Sequence, residues 1–173
     1  MSRAVISLGS NLGDRSAHLE FAVSELRVAG ELVAVSPAYS TAPVGGPEQP
    51  DYLNAVVLLE TDLHADELLE VCHLLEDQAG RVRAERWGPR TLDLDLIAYD
   101  DVVSDDPELT LPHPRAAERA FVLRPWLDVD PDATLAGVPV CDLLAALTPF
   151  PDASPDPSAD DLGVDPQPIG RTP

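Results

Sequence analysis

The spacing of hydrophobic positions changes along the N-terminal part of the chain, from a continuous apolar run to helical spacing. The apolar run at 3–8 predicts a buried strand that ends in a polar turn. The segment after this turn has helical periodicity, either Asp14 or Ser16 can cap it, and Gly30 ends it. The apolar positions at helical spacing are Leu19, Ala22, Val23 and Leu26.

The next segments predict a strand pair joined by a long loop. Strands are predicted at 31–40 and 52–61, and Pro37 indicates that the first of them forms an edge or contains a bulge. The connecting segment, 41–51, contains three prolines and two adjacent glycines. This composition is typical of a long, shaped loop.

The order of elements predicts the fold class. A second amphipathic helix is predicted at 66–80, a loop at 81–90 and a fourth strand at 91–99. The order strand, helix, strand, strand, helix, strand indicates an α+β fold of the ferredoxin-like kind. We expect a mostly antiparallel sheet with both helices on one face.

The C-terminal part adds smaller elements and a tail. We predict a hairpin at 100–114, a helical turn or helix at 114–127 and a short helix at 140–147. The last 25 residues contain seven prolines and five aspartates, a composition that cannot supply much core. The predicted organisation is one domain, 1–148, with a C-terminal extension, the acidic, proline-rich tail 149–173.

Composition and charge exclude several classes of protein. A formal net charge of −20 argues against nonspecific binding to nucleic acid or to an anionic membrane, since both depend on Lys and Arg. No apolar run approaches the ~20 residues of a membrane span, and we expect no signal peptide. Cys72 and Cys141 follow amphipathic patterns and are predicted to be small core residues. We therefore expect a reduced, cytoplasmic protein that is a monomer.

The predicted strand 91–99 carries an unusual acidic pattern. Asp93 and Asp95 share one face, about 6.5 Å apart along the chain, and this face is expected to continue into Ile97 and Tyr99. Aspartate is disfavoured in strands, and two carboxylates this close repel each other unless a cation lies between them. A solvated face is the alternative, but the pattern favours a Mg²⁺ site completed by substrate phosphates.

Arginines are concentrated around this strand. All eleven basic residues are arginines, and six of them lie between positions 81 and 119. Arg81, Arg83 and Arg90 present forks of donors that match phosphate oxygens, and Trp87 offers a flat surface to a ring. Scattered surface arginines are the alternative. Together with the metal site, these residues indicate a nucleotide polyphosphate site beneath a loop that can close as a lid.

The same residues resemble a known family. GRVRAERWGPRTLDLDLIAYDD is similar to the signature of the 6-hydroxymethyl-7,8-dihydropterin pyrophosphokinases of folate biosynthesis. AVISLGSNLGD resembles their first strand and turn, and YSTAPVGGPEQPDYLNAV resembles their pterin loop and third strand. LTLPHPRAAERAFVLRPW resembles their second nucleotide segment. The similarity extends over about residues 3–130 and does not include the tail.

The resemblance implies a Mg²⁺-dependent transfer of pyrophosphate from ATP to the pterin's hydroxymethyl group, which releases AMP. It implies that Asp93 and Asp95 hold two Mg²⁺ ions and that Arg81, Arg83 and Arg90 act with them as catalytic residues. The residues that it places around ATP are Glu76, Arg81, Arg83, Trp87, Arg90, Leu96, His113 and Arg119. The residues that it places around the pterin are Thr41, Pro43, Val44, Gly45, Tyr52, Asn54, Trp87, Asp93 and Phe121.

The residues by themselves leave alternatives open. Tyr52 and Asn54 share a strand face that suits a planar heterocycle, although Tyr52 alone would be a core aromatic. His113, between two prolines, suits either a phosphate contact or a structural turn. One rival function is a nucleotidyltransferase, which would combine Gly9-Ser10 with the paired aspartates. The other is a noncatalytic ferredoxin-like module that only binds a ligand.

Overall fold

The computed structural model describes residues 1–43, 46–80, 89–147, 154–156 and 162. Within these ranges the main sheet has six antiparallel strands: β1 (Ser2–Ser10), β2 (Glu31–Val35), β3 (Tyr39–Thr41), β4 (Tyr52–Thr61), β5 (Asp93–Tyr99) and β10 (Ser154–Pro155). Two hairpins pair β6 (Ser104–Asp106) with β7 (Leu109–Leu111) and β8 (Thr134–Leu135) with β9 (Val138–Pro139). The helices are α1 (Arg15–Ala29), α2 (Ala65–Gln78), α3 (Ala120–Val129) and α4 (Val140–Ala146), with a 3-10 turn at Ala116–Glu118. None of the helices in these ranges combines the length and hydrophobicity that a membrane span requires.

The sheet lies between two layers of helices. Its strand order is β10-β3-β4-β1-β5, and β2 pairs with another part of β4. α1 and α2 pack on one face, whereas α3 and α4 pack on the other. The central strands β1 and β4 are buried along most of their length, because side chains on both of their faces meet helices. The predicted α+β class and the shared face of α1 and α2 are confirmed.

Local chemistry determines where several elements begin and end. The Asp14 carboxylate caps α1 by accepting a hydrogen bond from the Ala17 N–H (3.1 Å). Gly30 follows α1 where the backbones approach so closely that a Cβ would lie 2.3 Å from the Glu60 carbonyl oxygen. Pro37 divides the predicted second strand into β2 and β3, since proline cannot donate a backbone hydrogen bond.

A β-bulge changes the direction of side chains near the end of β5. β1 pairs with Leu96 and then with Ala98, so that Ile97 between them is an extra residue. Ile97 packs with α3 on the aspartate face, whereas Tyr99 packs with α1 and α2 on the opposite face. The prediction that Tyr99 continues the aspartate face is therefore wrong, because the regular alternation of the strand stops at the bulge.

The two cysteines lie in different environments. Cys72 is buried in the core beneath α2, and burial, with smaller contributions from Glu76 and Asp95, raises the pKa of its thiol to about 12. Cys141 is exposed at the start of α4, where Val140 is the residue that enters the core. The prediction of a core position is therefore wrong for Cys141.

We expect an alkylating reagent at mildly alkaline pH to modify Cys141, but not Cys72, in the native protein. The reason is that the thiolate reacts, and Cys72 is both inaccessible and protonated. Mass spectrometry after native labelling should find the label on Cys141 alone, and labelling in denaturant should add Cys72. Rapid labelling of Cys72 in the native protein would contradict this packing of α2.

Part of the predicted tail packs on the domain. β10 pairs with β3 and extends the main sheet at that end. Leu162 is only 8% exposed and belongs to the core cluster beneath α1 and α2. The described residues of 149–173 therefore contribute a short strand and a core side chain to the fold, despite the proline-rich composition of the segment.

Candidate active site

The two aspartates of β5 are on the face of the sheet that α3 covers, and they line two clefts. In the sheet register Asp93 lies beside Gly9 of β1, and Asp95 lies beside Ser7. Both aspartates are partly buried. Among the described residues, Arg90, Asp93 and Asp95 line both clefts. The carboxylates are therefore accessible to whatever occupies either cleft.

The first cleft, of about 290 Å³, lies beside β3, β4 and the start of α3. It contains the Tyr52 and Phe121 rings and the amide of Asn54, whose Nδ2 donates to Thr41 Oγ1 (2.6 Å). Gly9 keeps the floor open, because a Cβ there would lie 3.2 Å from Asn54 Oδ1 and 3.7 Å from the Tyr52 ring. Two rings and a fixed amide suit a flat heterocycle with polar edges. The other described lining residues are Ser7, Ala42, Pro43, Gln49, Arg115, Glu118 and Arg119.

The second cleft, of about 330 Å³, lies beside α2, β5 and the hairpin of β6 and β7. Glu76 is 2% exposed and accepts a hydrogen bond from the Leu94 N–H (2.8 Å), which ties β5 to α2. The His113 N–H donates to the Ile97 carbonyl oxygen (2.8 Å), so this histidine is held against the bulge. The second cleft shares Arg90, Asp93 and Asp95 with the first. Its other described lining residues are Leu69, His73, Leu96, Pro107, Glu108, Leu109, Thr110 and Pro114.

Two arginines pair with the two aspartates. Arg90 Nη1 lies 2.7 Å from Asp93 Oδ2, and Arg119 Nη1 lies 2.9 Å from Asp95 Oδ2. Arg119 also lines the first cleft, where its Cζ lies 5.6 Å from the centroid of the Phe121 ring. A polyanion that arrives beside the aspartates together with a cation would find both guanidinium groups within reach.

The electrostatic environment of Asp95 favours an additional cation. Burial and the neighbouring Asp93 raise the pKa of the Asp95 carboxyl, although His113 and Arg119 oppose this shift. Burial lowers the pKa of His113 below its ordinary value, and Arg119 lowers it further, whereas Asp95 raises it. The net shift is downward, so the imidazole is neutral at neutral pH. The positive charge near Asp95 therefore does not fully offset the cost of burying its charged carboxylate.

Asn11 connects the two sides of the site. Its buried Nδ2 donates to Gln49 Oε1 (2.9 Å) and to the Pro50 carbonyl oxygen (3.0 Å). Its Oδ1 accepts from the Arg90 N–H (2.8 Å), and its own N–H donates to the Arg90 carbonyl oxygen (3.1 Å). One amide therefore fixes the first cleft's Gln49 relative to Arg90, which both clefts share.

Comparison with known proteins identifies the family of this chain. The model of the family described as 7,8-dihydro-6-hydroxymethylpterin-pyrophosphokinase matches residues 5–131. This chain belongs to that family. The match begins within β1, includes Asp93 and Asp95, and ends before α4 and the tail.

Relatives of this pyrophosphokinase family match over most of their length. The 2-amino-4-hydroxy-6-hydroxymethyldihydropteridine pyrophosphokinase of Methylorubrum extorquens is 44% identical over 151 residues, covering 86% of this chain and 96% of the relative. The protein of the same name from Mycobacterium tuberculosis (strain H37Rv) is 48% identical over 163 residues, covering 86% of each chain.

The solved structure of Plasmodium falciparum HPPK-DHPS, wild type, shares the fold. It superposes with a TM-score of 0.65 and 13% sequence identity, covering 84% of this chain and 44% of that one. This chain thus spans less than half of the Plasmodium protein. At this level of identity the likeness supports the architecture of the pyrophosphokinase domain and nothing finer.

The described residues that the family resemblance implies all lie at the two clefts. Thr41, Pro43, Tyr52, Asn54 and Phe121 line the first cleft, Glu76, Leu96 and His113 line the second, and Arg90, Asp93 and Asp95 line both. Arg119, expected at ATP, lines the first cleft and pairs with Asp95. The predictions for Val44, Gly45, Arg81, Arg83 and Trp87 lie outside the described residues.

Several residues of the site are not among those that the family resemblance implied. Gly9 and Ser7 reach the aspartates because β1 pairs with β5, and this register is not visible in either strand alone. Asn11 is 79 positions from Arg90 in the sequence. Gly9 and Asn11 belong to the polar segment GSN, in which β1 ends. A buried strand that runs into such a polar segment is a local indication of a site.

The shared carboxylates fit a hard divalent cation. In the part of the chain that the structure describes, no three His, Cys, Asp or Glu side chains converge to hold a metal ion by themselves. Mg²⁺ does not need such a cluster, because it retains waters and takes one or two carboxylates plus substrate phosphates. Asp93 and Asp95, which line both clefts, match that donor set.

Proposed function

We propose that this chain transfers pyrophosphate from ATP to 6-hydroxymethyl-7,8-dihydropterin, a step in folate biosynthesis. The pterin's hydroxymethyl oxygen attacks the β-phosphorus of ATP, and the bond from that phosphorus to the α,β-bridging oxygen breaks. AMP leaves with that oxygen, and the hydroxyl proton is released. The observation that carries the proposal is that two clefts meet at Arg90, Asp93 and Asp95 in a member of this family.

In this proposal the pterin occupies the first cleft. Tyr52 and Phe121 contact the faces of its ring system, and Asn54 hydrogen-bonds its polar edge. The bond from Asn54 to Thr41 fixes the orientation of that amide before the pterin binds. Since Gly9 leaves space at the floor, the ring can approach the aspartate side of the sheet.

ATP occupies the second cleft, with its triphosphate directed toward the shared residues. Two Mg²⁺ ions held by Asp93 and Asp95 would neutralise the triphosphate and polarise the β-phosphoryl group. Arg90 and Arg119 exchange their aspartate partners for phosphate oxygens as the nucleotide arrives. His113, which lines this cleft, can donate a hydrogen bond to a phosphate oxygen.

The arrangement acts by positioning rather than by a covalent intermediate. Phosphoryl-type transfer depends mainly on alignment of the two reactants and on charge neutralisation. The two clefts share Arg90, Asp93 and Asp95, which suits a direct transfer between the reactants that they hold. The proposal includes a monomer in the cytoplasm without a nucleic acid or membrane partner, and the net charge of −20 supports the latter part.

The test is the formation of AMP by the purified protein. With ATP, MgCl₂ and 6-hydroxymethyl-7,8-dihydropterin, AMP and the pterin pyrophosphate should form in equal amounts, and AMP should not form without the pterin. Binding of both ligands without AMP formation would instead indicate a noncatalytic module. Release of pyrophosphate with transfer of AMP would indicate a nucleotidyltransferase, a reading that the structure disfavours because Gly9-Ser10 lies within β1 and not on a helix.

Asn11→Ala is expected to lower kcat/KM by about 10- to 100-fold, since a displacement of about 1 Å at a reacting centre can cost 10²-fold. The variant loses the bonds that hold Gln49 and Arg90 at a fixed separation. Steady-state kinetics with each substrate varied in turn should show both KM values raised. A buried amide is also expected to contribute about 1–3 kcal/mol to stability.

Ser36→Ala provides the matched control for Asn11→Ala. The Ser36 hydroxyl is also buried, donates to the Pro37 carbonyl oxygen (2.8 Å) and accepts from the Val56 N–H (2.9 Å), away from both clefts. It should lower the free energy of unfolding without changing kcat/KM. Equal losses of activity in the two variants would show that Asn11 acts through stability alone.

A further inference from the structure

The tail beyond the family match contacts β3 through its backbone. The family model ends at residue 131, whereas β10 begins at Ser154. β10 pairs antiparallel with β3, with Pro155 opposite Tyr39. The pairing continues one residue further, where the Asp156 N–H donates to the Ala38 carbonyl oxygen (2.9 Å). The tail thus covers the side of β3 that does not pair with β4.

Arg15 links the same tail to the start of β4. Its Nη1 donates to the Asp51 carbonyl oxygen (2.9 Å), and its Nη2 lies 3.9 Å from Asp156 Oδ2. Asp51 directly precedes Tyr52, and β3 ends at Thr41. The tail is therefore connected to both ends of the segment that joins β3 to β4.

Both of these ends contribute to the first cleft. At one end, the cleft is lined by Thr41, the last residue of β3, and by Ala42 and Pro43 after it. At the other end, it is lined by Tyr52, the residue after Asp51. Thr41 Oγ1 also holds the Asn54 amide. A strand as short as β3, if paired on one side only, frays readily because its outer backbone groups face water. Fraying at this strand would displace residues on two sides of the cleft.

Leu162 provides the anchor for these contacts. Its side chain is 8% exposed within the core cluster beneath α1 and α2. Burial of a leucine holds the tail more firmly than the ion pair between Arg15 and Asp156, since partly exposed pairs contribute little. The apolar anchor and the backbone pairing are independent contacts of the same tail.

We propose that the tail is a positioning element of the pterin cleft: by adding β10 to β3, it holds Thr41 and its neighbours where the pterin binds. The identity of the ligand rests on the proposed function. The position of β3 does not rest on it, and it can be measured without any ligand.

The test compares Leu162→Asp with Leu162→Met in the full chain. A charge at this position releases the tail, whereas methionine preserves the apolar anchor. With Leu162→Asp we expect the pterin dissociation constant to rise about tenfold. This is the rise expected if the first cleft has the conformation that binds pterin in only about a tenth of the molecules. The dissociation constant of a nonhydrolysable ATP analogue measured alone should not change. Leu162→Met should match the unaltered protein in both titrations.

A second pair of variants addresses the backbone contact in case Leu162→Asp fails to fold. Asp156→Pro removes the N–H that bonds Ala38, whereas Asp156→Ala keeps it. Amide hydrogen exchange across Tyr39–Thr41 should be faster in Asp156→Pro and unchanged in Asp156→Ala. Unchanged exchange in Asp156→Pro, or a lower melting temperature with unchanged pterin affinity, would overturn the proposal. If the unaltered protein forms no AMP, the proposed function fails, whereas the exchange measurement still decides the role of the tail.

Discussion

Asp95→Asn is expected to reduce turnover by about a thousandfold or more, because a metal ion contributes several kcal/mol of charge stabilisation and each ~1.4 kcal/mol is tenfold in rate. Asparagine keeps an oxygen for Arg119, which now bonds Asp95 Oδ2. It removes the charge that the proposed Mg²⁺ site requires. Quenched-flow measurement of AMP formation at saturating ATP, MgCl₂ and pterin provides the test.

Asp95→Asn should leave the protein folded and at least as stable at neutral pH. Burial and Asp93 raise the folded-state pKa of Asp95 above its ordinary value of 3.8, so the folded protein binds this proton more tightly than the unfolded chain. The protonated carboxyl therefore stabilises the folded protein. This stabilisation is complete below pH 3.8 and is lost as the pH rises through the folded-state pKa. At neutral pH, Asp95→Asn should melt at a higher temperature than the unaltered protein. This difference in melting temperature should shrink as the pH falls toward 3.8, the ordinary pKa of the carboxyl group.

Asp101→Asn is the control for this experiment. Asp101 is exposed and lines neither cleft, so the same chemical change there should not alter turnover. Full turnover by Asp95→Asn would refute the proposed role of the shared carboxylates. Loss of turnover in Asp101→Asn would mean that the assay reports net charge rather than the site.

Pterin is expected to bind about 5- to 150-fold more tightly when Mg²⁺ and a nonhydrolysable ATP analogue are present, the usual range of coupling between two sites. Asp93 and Asp95 repel one another in the absence of a cation, and Arg90 is paired with one of them. Nucleotide and metal would relieve this repulsion at the three residues that both clefts share. By linkage, the pterin should strengthen binding of the analogue by the same factor.

Calorimetric titration of pterin with and without the analogue measures this coupling directly. Adenosine is the matched control, because in the proposed function it would enter the same cleft as ATP, but it carries no phosphate to recruit Mg²⁺ or Arg90. It should leave pterin affinity unchanged. Equal pterin dissociation constants with and without the analogue would show that the clefts bind independently.

The local pattern of the sequence was sufficient for the main elements and for the placement of the aspartates. Alternation in a strand and the 3.6-residue period of a helix are properties of a short segment, so α1, a cap at either Asp14 or Ser16, and the shared face of Asp93 and Asp95 follow from the residues nearby. The structure selects Asp14 as the cap. The family resemblance implied some of the residues of both clefts, because its motifs lie in the same order along this chain. It did not extend to the tail.

Only the tertiary structure decided the features that join distant segments. The bulge at Ile97 reverses the face of Tyr99 because β5 must stay in register with β1, and no residue of β5 alone encodes that constraint. Asn11 meets Arg90, and Leu162 enters the core, through packing between segments far apart in the chain. A periodic pattern shows which side of an element is apolar, whereas the partner that covers this side depends on how all the elements pack together.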